Sequence, residues 1–264
     1  MKSELMDLVF LSEKRKNLLL FLKSGPKSMD EIRDTLQASS TSILPQIKKL
    51  KEQNLVVQQD KTYELSSIGK VLVEKMQPLV NTMELFEDNF EYWAERDLQG
   101  IPPFLRRRIG ELGKCKLIKP DLNRMFEFDP EFMENLFSSE HVLEILAYFH
   151  PDLTTICREL TKTRVEISLI MADSVLQRCI EDHREDLRNL LGLEYVKIFR
   201  YSGDLRIADL TVTDKFLMIS LFPRDRNFDR ESLISYDPSA LKWGTDLFSY
   251  LLQNSTEFKE IPPE

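Results

Sequence analysis

Residues 39–66 constrain the chain more than any other stretch. SSTSILPQIKKLKEQN (Ser39 to Asn54) runs without a break into LVVQQDKTYELS (Leu55 to Ser66). In the first part Ile43, Ile47 and Leu50 recur at i, i+4 and i+7, one apolar stripe of a helix. Another stripe at the same spacing carries Ser42, Gln46, Lys49 and Gln53. Amides there match adenine edges, an ammonium matches phosphate or guanine, and hydroxyls match the sugar-phosphate backbone. In the second part Leu55–Gln58 and Thr62–Leu65 are short β-rich runs around Gln59, Asp60 and Lys61, a small hairpin with a basic tip. Pro45 fits only the first turn of a helix, where its missing N–H loses no bond, so the helix is expected to start near Thr41 or Ser42.

A polar helix face is often merely solvated, so the order of the preceding parts matters. Leu5, Leu8, Val9, Leu18, Leu19, Phe21 and Leu22 mark a first helix or helix pair within residues 1–24, and Gly25-Pro26 ends it. Ser28 followed by Glu31 is a capping-box pattern opening a helix over Met29–Leu36. Gln37, Ala38 and Ser39 make a short turn. Helix, helix, turn, helix, hairpin within residues 1–66 is the plan of a winged helix-turn-helix. Its candidate DNA contacts are Ser40, Thr41, Ser42, Gln46, Lys48, Lys49 and Gln53 on the third helix, with Gln59 and Lys61 on the hairpin.

The chain has 264 residues, enough for two cored domains, with 42% hydrophobic and 30% charged residues. No run approaches the roughly 18 apolar residues that cross a bilayer. Glu4 and Asp7 interrupt the only apolar stretch near the N-terminus, so no signal peptide is expected. Cys115, Cys157 and Cys179 are too few and scattered for a disulfide framework or a zinc site. A cytoplasmic protein without membrane association, metal or cofactor is the expectation. The net charge of −8 argues against nucleic acid until it is resolved along the chain. Residues 1–66 hold 11 Lys and Arg against 9 Asp and Glu, a surplus of two; the remainder hold 25 against 35, a deficit of ten. Local charge governs phosphate contact, so a mildly basic head on an acidic body is compatible with DNA.

Residues 67–99 read as a helical linker. Leu72, Met76, Leu79, Met83, Phe86, Phe90 and Trp93 step by 4, 3, 4, 3, 4 and 3, a coiled-coil repeat. Pro78 is expected to kink or break the helix near Glu74. The stripe reads either as a homodimer seam, which would set two recognition helices about 34 Å apart, one duplex turn, or as a face packed on the chain's own second domain.

Gly100-Ile101-Pro102-Pro103 opens a domain over 100–264 in which helix and strand patterns alternate. Helices are expected at Phe104–Leu112, Pro130–Phe137, Asp152–Thr161, Ser174–Leu191 and Ser239–Leu252. Strands are expected at Lys116–Ile118, His141–Phe149, Val165–Met171 and Tyr195–Tyr201, with a hairpin of Arg206–Val212 and Lys215–Phe222 about Thr213-Asp214. Near-continuous apolar strands between helices predict an α/β sheet covered on both faces. His141, His150 and His183 form no metal pair at i, i+4, and no Gly-rich phosphate loop, Cys-His pairing or G-x-S-x-G elbow occurs. A two-histidine phosphodiesterase would need Lys two positions after its His; Leu143, Asp152 and Glu185 stand there. His150 is the strongest polar candidate, because Tyr148-Phe149-His150-Pro151-Asp152 ends a strand, where open α/β sheets bind ligands; a packing or capping histidine is the plain alternative. Arg106–Arg108 reads first as a solvated face and second as an anion or DNA-flank contact.

The chain resembles archaeal winged-helix, ArsR-like transcriptional regulators with a methanogenesis-regulator middle domain. The resemblance rests on SSTSILPQIKKL (Ser39–Leu50), IPPFLRRRIGELG (Ile101–Gly113), FHP (Phe149–Pro151), VTDKFLMISLF (Val212–Phe222) and SYDPSALKWGTDLF (Ser235–Phe248). It implies a DNA-binding head, a sensor domain and no catalysis. Thr41, Ser42, Gln46 and Lys49 would face the groove. His150, Asp214, Tyr236 and Trp243 lie in the sensor motifs, with Tyr148 beside them as a further candidate ligand contact.

The expected function is sequence-specific binding of double-stranded DNA by a homodimeric regulator whose second domain senses a small-molecule effector. A winged-helix adaptor that docks proteins is the alternative from another class. An enzyme acting on a small phosphorylated ligand through His150 has the least support.

Overall fold

The computed structural model describes residues 4–120, 130–225, 227 and 229–263. The chain forms two compact units, Met1–Val80 and Asn81–Glu264. The expected linker over 67–99 is therefore not a separate part: its first half belongs to one unit and its second half to the other.

In the first unit α1 (Glu4–Phe10) and α2 (Glu13–Phe21) precede β1 (Lys27–Ser28), α3 (Met29–Leu36) and α4 (Ser40–Glu52). The hairpin β2 (Val56–Gln59) and β3 (Thr62–Leu65) follows, and α5 (Ser67–Asp88) begins here. The capping box at α3 forms: the Ser28 hydroxyl accepts the Glu31 N–H at 3.3 Å and the Glu31 carboxylate accepts the Ser28 N–H at 2.8 Å. The Ser28 N–H bond, with a second bond of 2.8 Å donated by the Ser28 hydroxyl, holds the Glu31 carboxyl below its ordinary range. Gln37, left-handed at φ 48°, turns the chain out of α3 and toward α4. Strand β1, which no period in so short a run could announce, pairs with β3, giving an antiparallel sheet in the order β1-β3-β2.

Ile43, Ile47 and Leu50 of α4 are all 2% exposed or less and join Leu18, Leu19 and Ile32 in one core. The helix starts one residue earlier than Pro45 alone predicts. Ile43 N–H already bonds the Ser39 carbonyl, so Pro45 lies in the second turn and the Thr41 carbonyl loses its helical donor. At the far end of the hairpin the Ser66 hydroxyl accepts the Gly69 N–H at 3.0 Å, capping α5, and donates to the Asn54 carbonyl at 2.5 Å. Gly69 passes so close to the hairpin that an added Cβ would lie 2.1 Å from the Leu55 carbonyl oxygen.

The heptad stripe divides between two cores. Met76 is buried in the first unit's core with Leu72 packed against it, while Trp93 is buried in the second unit's core with Phe86 beside it. Leu79, Met83 and Phe90 are exposed. A seam of all seven residues is thus excluded, because its members already face their own chain at Met76 and Trp93. Pro78 breaks nothing: α5 runs intact through it. The break comes at Asn89 (φ −139°), before α6 (Phe90–Glu95).

The second unit continues with α7 (Pro103–Arg106), β4 (Lys116–Ile118), α8 (Pro130–Phe137) and β5 (His141–Leu146). Next come α9 (Leu153–Thr161), β6 (Glu166–Ala172), α10 (Asp173–Asp182), α11 (Arg184–Leu191) and β7 (Val196–Tyr201). The hairpin β8 (Ile207–Thr213) and β9 (Leu217–Leu221), then β10 (Ser232–Ser235), α12 (Pro238–Leu252) and β11 (Ser255–Glu257), complete it. These strands form one mixed sheet in the order β11-β7-β6-β5-β8-β9-β10-β4. Only β5, β6 and β7 run parallel, joined by the crossover helices that parallel neighbours require. Trp243, Leu247 and Phe248 of α12 cover one face with Leu105 and Trp93, and α8 to α11 cover the other. The expected sheet covered on both faces is what forms.

Two expected helices are shorter than their periodicity implies. Residues 104–112 break after Arg106 and resume as a 3-10 turn, Ile109–Leu112, and residues 174–191 break at His183, whose ring stacks on Phe149 at 4.1 Å. Arg108 is not a free cation: it binds Glu111 at 2.7 Å and Asp246 of α12 at 2.8 Å.

Gly69→Ala should destabilise the first unit by about 1–3 kcal/mol, because backbone rather than a flexible side chain must yield. Urea unfolding followed by a probe in residues 1–80 measures this, and a wild-type midpoint would refute the close approach.

Candidate functional site

Two places in the structure correspond to the two functions expected of the sequence. On the first unit, α4 presents its outer side through Thr41, Leu44, Pro45, Lys48 and Lys49, all exposed. Gln53 just past its end, and Gln59 and Lys61 at the hairpin tip, are exposed as well, with Asp60 left-handed (φ 51°) between the latter two. Lys51 bonds Gln58 at 2.9 Å and ties the helix end to β2. Three expected contacts are differently placed. Gln46 is half-buried and accepts a 2.8 Å bond from Arg15 of α2, whose Nε also bonds the Leu8 carbonyl. Ser40 and Ser42 are half-buried, and the Ser42 hydroxyl donates to the Ser39 carbonyl at 2.9 Å. The exposed face is therefore rotated from the 42/46/49/53 stripe toward Thr41, Pro45 and Lys48. Leu44, exposed in its middle, went unread because it interrupts a polar stripe.

On the second unit, a cavity of about 40 Å³ lies between the sheet and helices α8 and α9. Phe132, Leu136, Leu153, Ile156 and Leu160 line its helical side, and Val142, Glu144, Ile167, Asp209, Thr211 and Met218 its sheet side. Tyr148 and His150 close one end. Sequence reasoning identified these two but missed Glu144 and Asp209. The antiparallel register sets Glu144 opposite Thr211 and Leu146 opposite Asp209, so the two acids are diagonal neighbours on one face. Asp209 is 6% exposed and its Oδ1 has no hydrogen-bond partner. The signal available beforehand was a single acid inside each of two otherwise buried runs, HVLEIL and IADLTVT.

The other expected sensor contacts lie elsewhere. The Asp214 carboxylate accepts the Glu140 N–H at 2.9 Å. Tyr236 is exposed and bonds Glu131 at 3.2 Å. Trp243 is fully buried on the opposite face of the sheet, donating to the Leu105 carbonyl at 3.1 Å. Among the described residues no group of three His, Cys, Asp or Glu side chains could hold a metal ion, and no helix is long and apolar enough to cross a membrane.

The profile of the N-terminal domain of the methanogenesis regulatory protein FilR1 matches residues 4–84, and that of its middle domain matches residues 125–254. The chain belongs to the FilR1-like family of regulatory proteins. The Methanogenesis regulatory protein FilR1 of Methanothrix harundinacea (strain 6Ac) is 24% identical over 254 residues, 94% of this chain and 57% of that protein, so the chain spans little more than half the length of this curated relative. Two solved structures are similar more distantly. TrmBL2, an archaeal chromatin protein with a novel mode of DNA binding, aligns over 97% of this chain and 98% of its own at 10% identity and TM-score 0.43. Phosphatidylserine synthase of Haemophilus influenzae Rd KW20 aligns over 56% and 40% at 13% identity and TM-score 0.39. Neither likeness is near enough to carry a functional argument.

In this FilR1-like chain the cavity's chemistry follows from burial. Desolvation raises the Glu144 and Asp209 carboxyls well above the ordinary carboxylate range; the charge of Asp209 raises Glu144 further, while a bond from the Leu210 N–H holds Asp209 back. Burial lowers His150, so its imidazole is neutral; Nδ1 accepts the Asp152 N–H at 3.2 Å, which leaves the proton on Nε2. Both acids are neutral, folded or unfolded, below about pH 3. As pH rises, the unfolded chain ionises first and the folded state falls behind. Stability is lost through that window until the folded acids ionise too. Glu144→Gln and Asp209→Asn should therefore stabilise the chain by about 1–3 kcal/mol at roughly pH 8.5 and by less at about pH 6. Equal gains at both values in denaturant unfolding would show that the carboxyls are not shifted.

Proposed function

We propose that the chain is a DNA-binding transcription regulator that acts as a homodimer, with α4 in the major groove, the β2–β3 hairpin beside the backbone and the second unit as a sensor. The observation that carries this reading is the two-sided character of α4. Its isoleucines are seated in the core while Lys48, Lys49 and Thr41 stand outside with Lys61 at the neighbouring hairpin tip. Family membership supports the regulatory role. Lys48 and Lys49 would neutralise phosphates, and Leu44 offers an apolar contact of the kind that meets a thymine methyl.

Lys48→Ala and Lys49→Ala should each weaken binding to the adjacent promoter and lower the slope of log K against log salt by about 0.9, one phosphate contact. Gel shifts over a salt series measure both quantities. Wild-type affinity and slope in both variants would instead favour the protein-docking reading of the same face. Gln46→Ala should act on the stability of the first unit rather than on base choice, since Gln46 serves Arg15.

A second copy would bury the exposed apolar residues of α5, where Ile68, Val71 and Leu79 share a stripe that the heptad reading did not isolate. Leu79→Glu should convert the dimer to monomer in sedimentation at about micromolar concentration. A wild-type chain that is monomeric there would remove the dimer from the proposal.

A further inference from the structure

Two buried acids in a largely apolar cavity, one of them with an oxygen that has no hydrogen-bond partner, define a ligand by what they lack. Among the described residues neither Glu144 nor Asp209 has a basic partner. Arg230, on the loop before β10, bonds the Tyr148 hydroxyl and influences His150. The groups facing the acids are thus Tyr148, a neutral His150, Thr211 of β8 and the Cys157 thiol of α9, none of them a cation. The walls between are aliphatic or aromatic: Phe132, Leu146, Ile156, Leu160 and Ile167. One water needs about 10–15 Å³ of such space, so 40 Å³ admits about three waters or an organic molecule of about four heavy atoms. Water alone would leave the apolar walls unmatched, and a hydrocarbon would leave Asp209 Oδ1 unbonded.

We infer that this cavity binds a small aliphatic ammonium ion, its N–H groups on Asp209 and Glu144 and its alkyl group against α8 and α9. Binding exchanges one proton for one cation: one of the two acids, held neutral by burial, ionises against the ammonium and releases its proton to solvent, while the other stays protonated and accepts through its carbonyl oxygen. Affinity should therefore rise with pH until the acids of the free cavity ionise by themselves, and level off above that. The assignment rests on the reading of residues 81–264 as a sensor and supplies the chemical class of its effector.

Isopropylammonium and isopropanol differ in little but charge and test this directly. Calorimetric titration of the full chain at about pH 8 should give saturable binding of isopropylammonium at one site per chain, and none of isopropanol. Asp209→Asn should weaken the ammonium by at least about tenfold, through loss of a charge-assisted bond. Glu144→Gln should do likewise. Asp214→Asn, whose carboxylate lies outside the cavity, should bind as wild type. No saturable binding by wild type, equal binding by Asp209→Asn, or equal binding of isopropanol would overturn the assignment. Promoter gel shifts with and without isopropylammonium separate the two readings. Saturable binding without change in DNA affinity confirms the cavity and refutes the sensor, whereas absent binding refutes the cavity and leaves the DNA face untouched.

Discussion

Strand β8 is covered on both faces, and every one of its seven residues is buried. A strand projects alternate side chains to opposite faces, so a polar residue anywhere on β8 is a buried polar residue and must find a partner or leave a cost. Thr213 succeeds, its hydroxyl accepting the Lys215 and Phe216 N–H groups. On the neighbouring β9, Ser220 pairs with Ser232 at 2.6 Å. Asp209 succeeds only in part: the Leu210 N–H bonds its carboxyl, but Oδ1 is orphaned. The cavity lies where α8 and α9 cover the sheet at Asp209 and Glu144. The same constraint makes the opposite face ordinary: Leu210 and Val212 alternate with Asp209 and Thr211 and pack under α12.

The head obeys the same geometry in helical form. A 3.6-residue period assigns an inner stripe well, and Ile43, Ile47 and Leu50 are where it puts them. It assigns the outer stripe less well, because residues at the shoulder can be claimed by side chains distant in sequence. Arg15 claims Gln46 from 31 positions away. Lys48, Lys49, Gln59 and Lys61 were legible because long or terminal side chains stay outside almost wherever the helix rotates. Gln46 was not, because its position depends on how α2 packs.

The seven-residue stripe of 72–93 teaches a related lesson. A 4,3 spacing shows that residues share a face, not what covers it. Here the chain changes units at Val80 and interrupts its helix at Asn89. Met76 and Trp93 accordingly fall into separate cores, each local and neither a seam. Pro78 misled for a complementary reason: on an exposed stretch of helix, the carbonyl it leaves without a donor can be met by solvent, so the helix survives. In the second unit, β4 to β9 were legible from their apolar runs, whereas the short β10 and β11 were not expected. The strand order was not legible, because β4 and β11 reach the sheet edges only through tertiary pairing.

Tyr148 and His150 were readable because a strand ended there, while Glu144 and Asp209 required the pairing of β5 with β8, 65 positions apart in sequence. That separation bears on function as well as on prediction. Two acids brought together by a sheet register cannot move apart without breaking the ladder, so their repulsion is relieved only by taking up protons or by taking up a cation. Protonation leaves a neutral pair whose Asp209 Oδ1 still lacks a partner, whereas a cation satisfies charge and hydrogen bonding together. A ligand that relieves a penalty built into the folded state binds with that relief added to its own contacts. A rigid sheet, rather than a flexible loop, is the element on which such a penalty persists until the ligand arrives.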